Sequence, residues 1–360
     1  MNIWNELESP ISCLAPMEGV TDIVFRQVVA KAGRPDLFYT EFTNVSSFAS
    51  EKGRANALSR LKIAPSDSPI IAHIWGKNPE HFAELASALA SLGFSGIDLN
   101  FGCPDRHVNA AGGGAAMIRT PNLAVDCFRN AVKNSNGLPV SVKTRLGYTY
   151  PEEYKTWLPV LLKERPAALT VHLRTKKEMS KVPAHLDLIP EICRLRDIYS
   201  PRTKLIINGD IKNKKEGLDL YNRFNIDGYM IGRGVFENPY CFTDYIASTT
   251  DLLNLLRLHL DLWDNEYSFS DCGENDASRG GSGGYGRGLA REPRNDGSER
   301  RASAKASSTA SNGKTKSFEP LKHYFKIYVR DFDGASDLRT ALMSCHSIDE
   351  ARSVLAAHGL

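Results

Sequence analysis

This sequence of 360 residues has neither a long apolar run nor a large excess of charge of one sign. No apolar stretch approaches the roughly 18 residues of a membrane-spanning helix. The opening residues, MNIWNELESP, lack the basic and apolar regions of a secretory signal. Lys and Arg total 45 against 42 Asp and Glu, and a net charge of +3 does not by itself predict a nucleic-acid partner. We therefore expect a soluble protein without a membrane anchor.

Paired cysteines are missing as well. The seven cysteines are odd in number, widely scattered and without any CxxC pair, which argues against a disulfide framework and against a zinc site. We expect reduced thiols, a cytoplasmic location and no bound metal.

What the sequence does have is an alternation of short apolar segments with segments of helical spacing. Residues 121–137, for example, open with Pro and close with Gly, as helices prefer. Strands that alternate with helices indicate βα units and a parallel sheet. Eight such units predict a (β/α)8 TIM barrel over residues 1–245. The predicted strands lie within residues 11–17, 36–42, 69–76, 96–102, 139–147, 168–174, 204–210 and 228–234.

After the barrel, a small C-terminal helical domain is expected over residues 246–360. Residues 251–263, DLLNLLRLHLDLW, predict a buried helix, and residues 320–332 predict another with a basic stripe of Lys322, Lys326 and Arg330. Between them, residues from about 265 to 317 are rich in Ser, Gly, Arg, Asn and Lys and are interpreted as a disordered insertion. An alternative is that its arginines contact RNA.

The stretch from Gly96 to Met117 carries the clearest chemical signal. Its strand, GIDLN, breaks at Gly, Cys and Pro and so presents Asn100 and Cys103. Three glycines, residues 112–114, would let the backbone approach a ligand, and a helix is expected from about Ala115. A lone Cys is more often a small buried hydrophobe. A purely structural Cys, however, does not need a strand end followed by a sharp turn.

Polar side chains occur at almost every predicted strand end, where a TIM barrel has its active site. Each could be a solvated lysine or a satisfied core histidine, but their recurrence at equivalent positions indicates one shared site. The last two strand ends, INGD and IGRG, lie where such barrels often bind phosphate, and Arg233 adds positive charge. A phosphorylated ligand is therefore expected.

Seven short motifs, taken in this order, resemble those of the tRNA-dihydrouridine synthases, flavin enzymes that reduce a uridine base in tRNA. The resemblance runs from about residue 11 to the end of the chain. It implies an FMN-binding barrel and a helical domain with tRNA lying across both, and NADPH as reductant. A monomer is expected, although no motif in the sequence bears on the oligomeric state. The motifs are APMEGVTD (15–22), DLNFGCP (98–104), VKTRLG (142–147), VHLRT (171–175), NGD (208–210), IGRG (231–234) and DGASDLR (333–339).

The resemblance also implies roles for individual residues. Cys103 is expected to be the catalytic acid that protonates uracil carbon 5, while reduced flavin delivers hydride to carbon 6. Asn100 and Arg145 lie where the family holds the uracil, and Arg174 is assigned to the substrate as well. The expected FMN contacts are Pro16, Met17, Glu18, His73, Lys143, His172, Asn208, Gly209, Asp210, Gly232 and Arg233.

Two residues and the insertion depart from the family pattern. His73 stands where Gln is common, and Arg106 where Lys is common. One alternative function is an FMN-dependent oxidoreductase acting on free pyrimidines. The helical domain and the cationic residues at the strand ends argue against it. Another is a catalytically silent RNA-binding barrel, which His73 and the insertion leave open. The sequence does not indicate which uridine would be reduced.

Overall fold

Nine short parallel strands form the central sheet of the protein. In a computed structural model, which describes residues 2–267 and 316–359, they are β1 Ile11–Leu14, β2 Phe38–Tyr39, β3 Thr43–Asn44, β4 Ile70–Trp75, β5 Gly96–Phe101, β6 Val140–Arg145, β7 Ala168–His172, β8 Lys204–Asn208 and β9 Gly228–Ile231. Their order is β1-β9-β8-β7-β6-β5-β4-β2, and β3 also pairs with β4. A parallel bridge between Cys13 and Leu37 closes the ring. The predicted barrel is confirmed, and β3 is the strand that was not predicted.

Helices surround the barrel and continue beyond it. The segment 121–137 contains a helix, Pro121–Asn134, as predicted. None of the helices in the described part of the chain is long and apolar enough to cross a membrane. The α-helices are α1 Ile3–Glu6, α2 Ile23–Gly33, α3 Val45–Ala49, α4 Glu51–Ser59, α5 Pro79–Leu89, α6 Arg106–Ala110, α7 Pro121–Asn134, α8 Tyr154–Lys163, α9 Ile189–Tyr199, α10 Lys214–Arg223, α11 Gly234–Glu237, α12 Thr249–Tyr267, α13 Phe325–Tyr328, α14 Ala335–Ser344 and α15 Ile348–Ala357.

The amino-terminal half of the barrel interior is a packed core. Successive side chains of a strand point to opposite faces, so alternate residues such as Ile11 and Cys13 fill the inside. Trp4 of α1 is fully buried and packs into this core from below. The other members are Ala15, Leu37, Tyr39, Ile71, Ala168, Ile206 and Met230. Because this end of the interior is filled, the open space inside the barrel lies at the carboxyl ends of the strands.

The C-terminal helical region packs on the outside of the barrel rather than apart from it. Residues of α12, such as Leu256 and Trp263, belong to the same buried cluster as Phe25 of α2. The ring of Phe25 also lies 4.9 Å from that of Tyr324. The predicted boundary between a barrel domain, residues 1–245, and a helical domain, residues 246–360, therefore stays a prediction. Most of the predicted insertion lies outside the described residues, although α12 continues to Tyr267.

The prediction of one regular helix over residues 320–332 was wrong. A 3-10 turn, Glu319–Tyr324, leads into α13, and the helix ends at Val329, whose carbonyl accepts a 2.7 Å hydrogen bond from Arg339. Lys322 is buried and pairs with Glu319 at 2.8 Å, so the three predicted cations do not form one solvated stripe. The cause is tertiary packing, which buries consecutive residues here and so overrides the helical period.

Trp4 should be a large contributor to the stability of the barrel. Replacing it with Ala leaves a cavity at the filled end, and we expect a loss of about 3 to 5 kcal/mol in the free energy of unfolding. Urea denaturation measures this loss. The control Trp4→Phe keeps an aromatic ring and should lose clearly less. If the free energies of unfolding of Trp4→Ala and Trp4→Phe both lay within about 0.5 kcal/mol of wild type, Trp4 would not be a core residue.

Candidate active site

A cavity of about 360 Å³ opens at the carboxyl ends of the strands. It gathers thirteen of the fifteen residues that the sequence assigned to the site, together with eight that it did not assign. The assigned residues are Pro16, Met17, His73, Asn100, Cys103, Lys143, Arg145, His172, Asn208, Gly209, Asp210, Gly232 and Arg233. The others are Ala15, Phe42, Gly102, Pro104, Ile211, Lys212, Gly234 and Glu237. Glu18 and Arg174 do not line the cavity.

Strand register explains why the assigned residues meet. Asn100 of β5 lies opposite Lys143 of β6, and Arg145 lies opposite His172 of β7. His172 is in turn opposite Asn208 of β8. Because residues two apart on a strand share a face, Lys143 and Arg145 both point inward. Neighbouring strand ends thus place a continuous arc of polar side chains around the mouth of the barrel.

Asn100 shapes the loop that carries Cys103. Its Oδ1 accepts hydrogen bonds from the backbone N–H of Gly102 at 3.1 Å and of Cys103 at 2.9 Å. This leaves Nδ2 buried, with no partner among residues 2–267 and 316–359. Asn100 therefore has a donor, and not an acceptor, left to offer a ligand.

The thiol of Cys103 is chemically suited to act as an acid. The residue is 8% exposed, and burial raises the pKa of its thiol above the ordinary value, although the nearby positive charges of Arg145 and Lys143 act in the opposite direction. A thiol with a raised pKa is protonated at neutral pH. Cys103 therefore holds a proton beside the cavity that it can donate.

The glycines that follow Cys103 serve protein packing. Gly114 has φ +58°, and an added Cβ would come within 2.8 Å of the carbonyl oxygen of Cys103. A Cβ on Gly113 would lie 2.8 Å from the ring of Trp75. None of the three glycines, residues 112–114, lines the cavity, and the expectation that this run approaches a ligand stays a prediction. The chain then forms a 3-10 turn, Gly114–Arg119, before α7.

Two cations from β6 are held in different ways. The Nζ of Lys143 donates to Oδ1 of Asn208 at 3.1 Å, and burial lowers the pKa of Lys143 to about 8. Arg145 donates to three backbone carbonyl oxygens, that of Gly102 at 2.8 Å and those of Thr175 and Met179 at 3.0 Å. Arg145 is thus fixed in place, whereas the charge of Lys143 responds to pH near neutrality.

His172 stays neutral in this setting. Burial lowers its pKa well below the usual value, and the charges of Arg145, Lys143, Arg174 and Arg233 lower it further. Its Nδ1 is buried and has no partner in the described part of the protein. The buried Nδ1 of this neutral imidazole can form a hydrogen bond with a ligand in the cavity.

Asp210 organises the far end of the cavity. Its carboxylate contacts Arg174 and lies 3.1 Å from Nη2 of Arg233. Nε of Arg174 donates to the carbonyl of Val182 at 2.5 Å, whereas its Nη1 is buried without a partner among the described residues. Arg233 is 63% exposed in its side chain and remains available to an anion. Glu18 does not line the cavity and pairs with Arg60.

His73 and Asp98 form a buried pair under the cavity that sequence reasoning missed. Nδ1 of His73 lies 2.7 Å from Oδ2 of Asp98, and Oδ1 of Asp98 accepts a 2.6 Å hydrogen bond from the hydroxyl of Ser141. The signal in the sequence was an Asp in the apolar run GIDLNF, since a carboxylate is almost never fully buried without a partner. Its partner could not be identified without the register of β4 and β5.

The free groups of the cavity fit the FMN that the resemblance implies. His73 Nε2, Asn100 Nδ2 and His172 Nδ1 are buried and unpaired within the described residues. They suit the polar edge of a heterocyclic ring, and Lys143 and Arg233 suit a ligand with negative charge.

Across residues 2–267 and 316–359, no group of three or more His, Cys, Asp or Glu side chains could hold a metal ion.

Comparison with known proteins gives consistent matches. A family model described as dihydrouridine synthase matches residues 13–254. The "Probable tRNA-dihydrouridine synthase 2" of Bacillus subtilis (strain 168) is 44% identical over 356 residues, which are 98% of this chain and 95% of the relative. The "Probable tRNA-dihydrouridine synthase" of Staphylococcus aureus (strain COL) is also 44% identical over 98% of this chain and 94% of the relative. An old yellow enzyme homologue from Zymomonas mobilis matches 64% of this chain and 86% of its own at 13% identity, with a TM-score of 0.45. That last resemblance is too distant to bear on activity.

Gly114 offers a test of how tightly the Cys103 loop is packed. Gly114→Ala adds the cost of a left-handed backbone, about 1 to 2 kcal/mol, and also a clash with Cys103. The control Gly137→Ala has φ +88° but no atom within 4 Å of the added Cβ. We expect Gly114→Ala to lose clearly more stability in urea denaturation and to change the rate at which Cys103 is alkylated. Equal losses in the two variants, with unchanged alkylation, would contradict this packing.

Proposed function

The chain belongs to the dihydrouridine synthase family, and from this premise we propose that FMN and NADPH serve its reduction of a uridine in tRNA. The family match covers the barrel from residue 13 to 254, and relatives named as tRNA-dihydrouridine synthases align over 98% of the chain. Its activity is that of a tRNA-dihydrouridine synthase, a flavin-dependent oxidoreductase that reduces the 5,6 double bond of the base. The identity of the flavin as FMN and of the reductant as NADPH is what we propose beyond the family assignment.

The burial of the Cys103 thiol in the wall of the cavity is the observation that carries the mechanism. Reduction of the 5,6 double bond adds a hydride to carbon 6 and a proton to carbon 5 of uracil. When bound, FMN would supply the hydride, which would originate from NADPH. Cys103 gives its Sγ proton to carbon 5 and is left as a thiolate. The charges of Arg145 and Lys143, which lower the pKa of this thiol, stabilise that thiolate until water reprotonates it.

Asn100 and Arg145 are proposed to hold the uracil. The free Nδ2 of Asn100 can donate to a uracil carbonyl oxygen, and the bonds of Arg145 to three backbone carbonyls keep its guanidinium in one orientation. Because the base is packed in folded RNA, it must be turned out into the cavity, at a cost of a few kcal/mol. Fixed donors reduce the further ordering that binding requires.

Residues on the remaining strands are proposed to hold FMN. Asn208 is oriented by a 2.8 Å bond from its Nδ2 to the carbonyl of Met230, so its Oδ1 faces Lys143. Lys143 thereby places a cation in the cavity. Arg233 is proposed to meet the FMN phosphate, with the backbone of Gly209 and Gly232 beside it. Pro16 and Met17 complete the wall of the cavity.

The family assignment disfavours both alternatives that the sequence left open. The relatives named as tRNA-modifying enzymes align over the helical region as well as over the barrel, which favours tRNA over a free pyrimidine. Retention of the thiol, the cations and the unpaired donors in one cavity favours an active enzyme over a silent RNA-binding barrel. A cytoplasmic location and a monomeric state remain sequence-based expectations within this proposal.

Removing the acid should separate the two halves of the reaction. We expect Cys103→Ala to bind FMN and to be reduced by NADPH as wild type, but to form dihydrouridine about 100 to 10,000 times more slowly, because the proton donor is missing. Flavin absorbance follows reduction, and dihydrouridine in tRNA measures turnover. The control Cys193→Ala removes a buried thiol of α9 that lies outside the cavity. Wild-type turnover by Cys103→Ala would refute the assignment of the acid.

The loops after β6 and β7 form a cationic rim next to the cavity. The backbone N–H groups of Lys176 and Lys177 donate to the carbonyls of Gly147 and Tyr148 at 2.9 and 3.0 Å, which ties the two loops together. The Nζ of Lys176 lies 5.0 Å from the centre of the Tyr148 ring. Neither lysine is in an ion pair with any residue of the described ranges. Two unpaired cations in this position suit the phosphates of tRNA.

These lysines should contribute to tRNA affinity through charge. For Lys176→Ala and Lys177→Ala we expect weaker binding of any tRNA and a slope of log K against log salt that is smaller by about 1 for each variant. Binding titrations at several salt concentrations measure both quantities. Arg202→Ala, an exposed cation before β8 and so at the opposite end of the barrel, is the matched control. Equal effects in all three variants would place tRNA elsewhere.

A further inference from the structure

We propose that Asp98 positions His73 as a hydrogen-bond acceptor, so that the flavin site selects a ring with an N–H donor on its edge. The inference rests on the proposed function, because it takes the ligand of this cavity to be FMN. Asp98 does not touch the ligand and is a positioning residue. His73 is the residue that makes contact.

Geometry fixes where the proton of this pair lies. His73 and Asp98 are register partners on β4 and β5 and are 1% and 0% exposed. A carboxylate can only accept hydrogen bonds, so the proton in the 2.7 Å contact belongs to Nδ1 of His73. The hydroxyl of Ser141 donates to the other oxygen of Asp98 at 2.6 Å, so both carboxylate oxygens act as acceptors.

The other nitrogen of His73 is left for a ligand. With Nδ1 protonated, Nε2 of the neutral ring carries a lone pair and accepts. This atom is buried and without a partner in the described part of the chain, while His73 lines the cavity. The rings of Phe42 and Tyr39, whose centres lie 5.0 and 6.3 Å from that of His73, limit its rotation. An acceptor held this way has to be matched by a donor of the ligand.

The flavin ring offers one donor of the right kind. Its pyrimidine edge has two carbonyl oxygens, which accept, and between them one imide N–H, which donates. A Gln amide could pair with either kind of group, since it has both a donor and an acceptor. The Asp98–His73 pair offers an acceptor alone and is therefore the more selective arrangement.

Low pH should reverse the polarity of this contact. Burial lowers the pKa of His73, and Lys143 acts in the same direction, whereas Asp98 and, more weakly, Glu18 raise it. Tyr39, whose ring lies against that of His73, has a raised pKa because of its burial and stays neutral. The net shift is downward, so His73 is neutral at pH 7 and becomes protonated only below about pH 6.5. The protonated ring has donors only, so ligand affinity should fall as pH falls.

A double-mutant cycle on flavin binding tests the positioning role. FMN is titrated into flavin-free wild type, Asp98→Ala, His73→Gln and the double variant, with quenching of flavin fluorescence as the readout. We expect Asp98→Ala to weaken FMN binding at least ten-fold when His73 is present but less than three-fold in the His73→Gln background, because a Gln side chain does not need Asp98. Ser141→Ala, which removes only the second partner of Asp98, should lower stability and leave FMN affinity near wild type.

A second measurement remains informative if Asp98→Ala does not fold. Riboflavin is used as the ligand between about pH 5 and 8, because the phosphate of FMN itself titrates near pH 6. Wild-type affinity should be constant above about pH 6.5 and fall by up to ten-fold per pH unit below the pKa of His73, while His73→Gln should give a flat profile.

The possible results separate the inference from its premise. Equal losses on Asp98→Ala in both backgrounds, or parallel pH profiles for wild type and His73→Gln, would overturn the positioning role while leaving the proposed function intact. Failure of wild type to bind FMN or riboflavin at any pH would refute the proposed function and this inference together.

Discussion

Every buried hydrogen-bonding group at the mouth of this barrel has to be matched by the protein or by a ligand, and the rest of the site follows from this constraint. Asn100 shows both cases in one side chain. Its Oδ1 is used to hold the Cys103 loop, and its Nδ2 is left unpaired in the cavity. His73 divides in the same way between Asp98 and the cavity. The atoms that shape the site and the atoms that can bind are thus opposite ends of the same side chains, so a change in one end alters the other.

Electrostatics in the cavity is controlled by burial as much as by charge pairs. Burial keeps the Cys103 thiol and the His172 imidazole neutral, and the nearby cations lower the pKa of both groups. Those cations lower the pKa of the thiol and so stabilise a thiolate, while they disfavour a protonated imidazole. Asp210 offsets part of the positive charge through its contacts with Arg174 and Arg233. The site therefore keeps one acid protonated and surrounds the conjugate base with charge that stabilises it.

The sequence predicted what depends on local periodicity and failed where packing between elements decides. All eight strands of the barrel and thirteen site residues were predictable, because alternation along a strand and closure of a parallel barrel together select the inward side chains at the strand ends. The orientations of Glu18 and Arg174 were not, since their partners Arg60 and Asp210 come from other elements. The pairing of His73 with Asp98 depends on register, and the break at Val329 depends on burial of consecutive residues.

The helical region and the barrel depend on each other through the loop after β1. Tyr324 donates to the carbonyl of Val20 at 2.9 Å, and both Tyr267 and Lys316 donate to the carboxylate of Asp22 at 3.1 and 2.8 Å. This loop begins with Pro16 and Met17, which form part of the cavity wall. The hydrogen-bond acceptors of this loop, which lies at the cavity end of the barrel, are thus satisfied by donors from the chain that follows the barrel. Without those donors the acceptors would be left unpaired or exposed to water, and the wall of the cavity would lose its support. The barrel therefore contains the chemistry, but the conformation of one wall of its cavity depends on helices outside it.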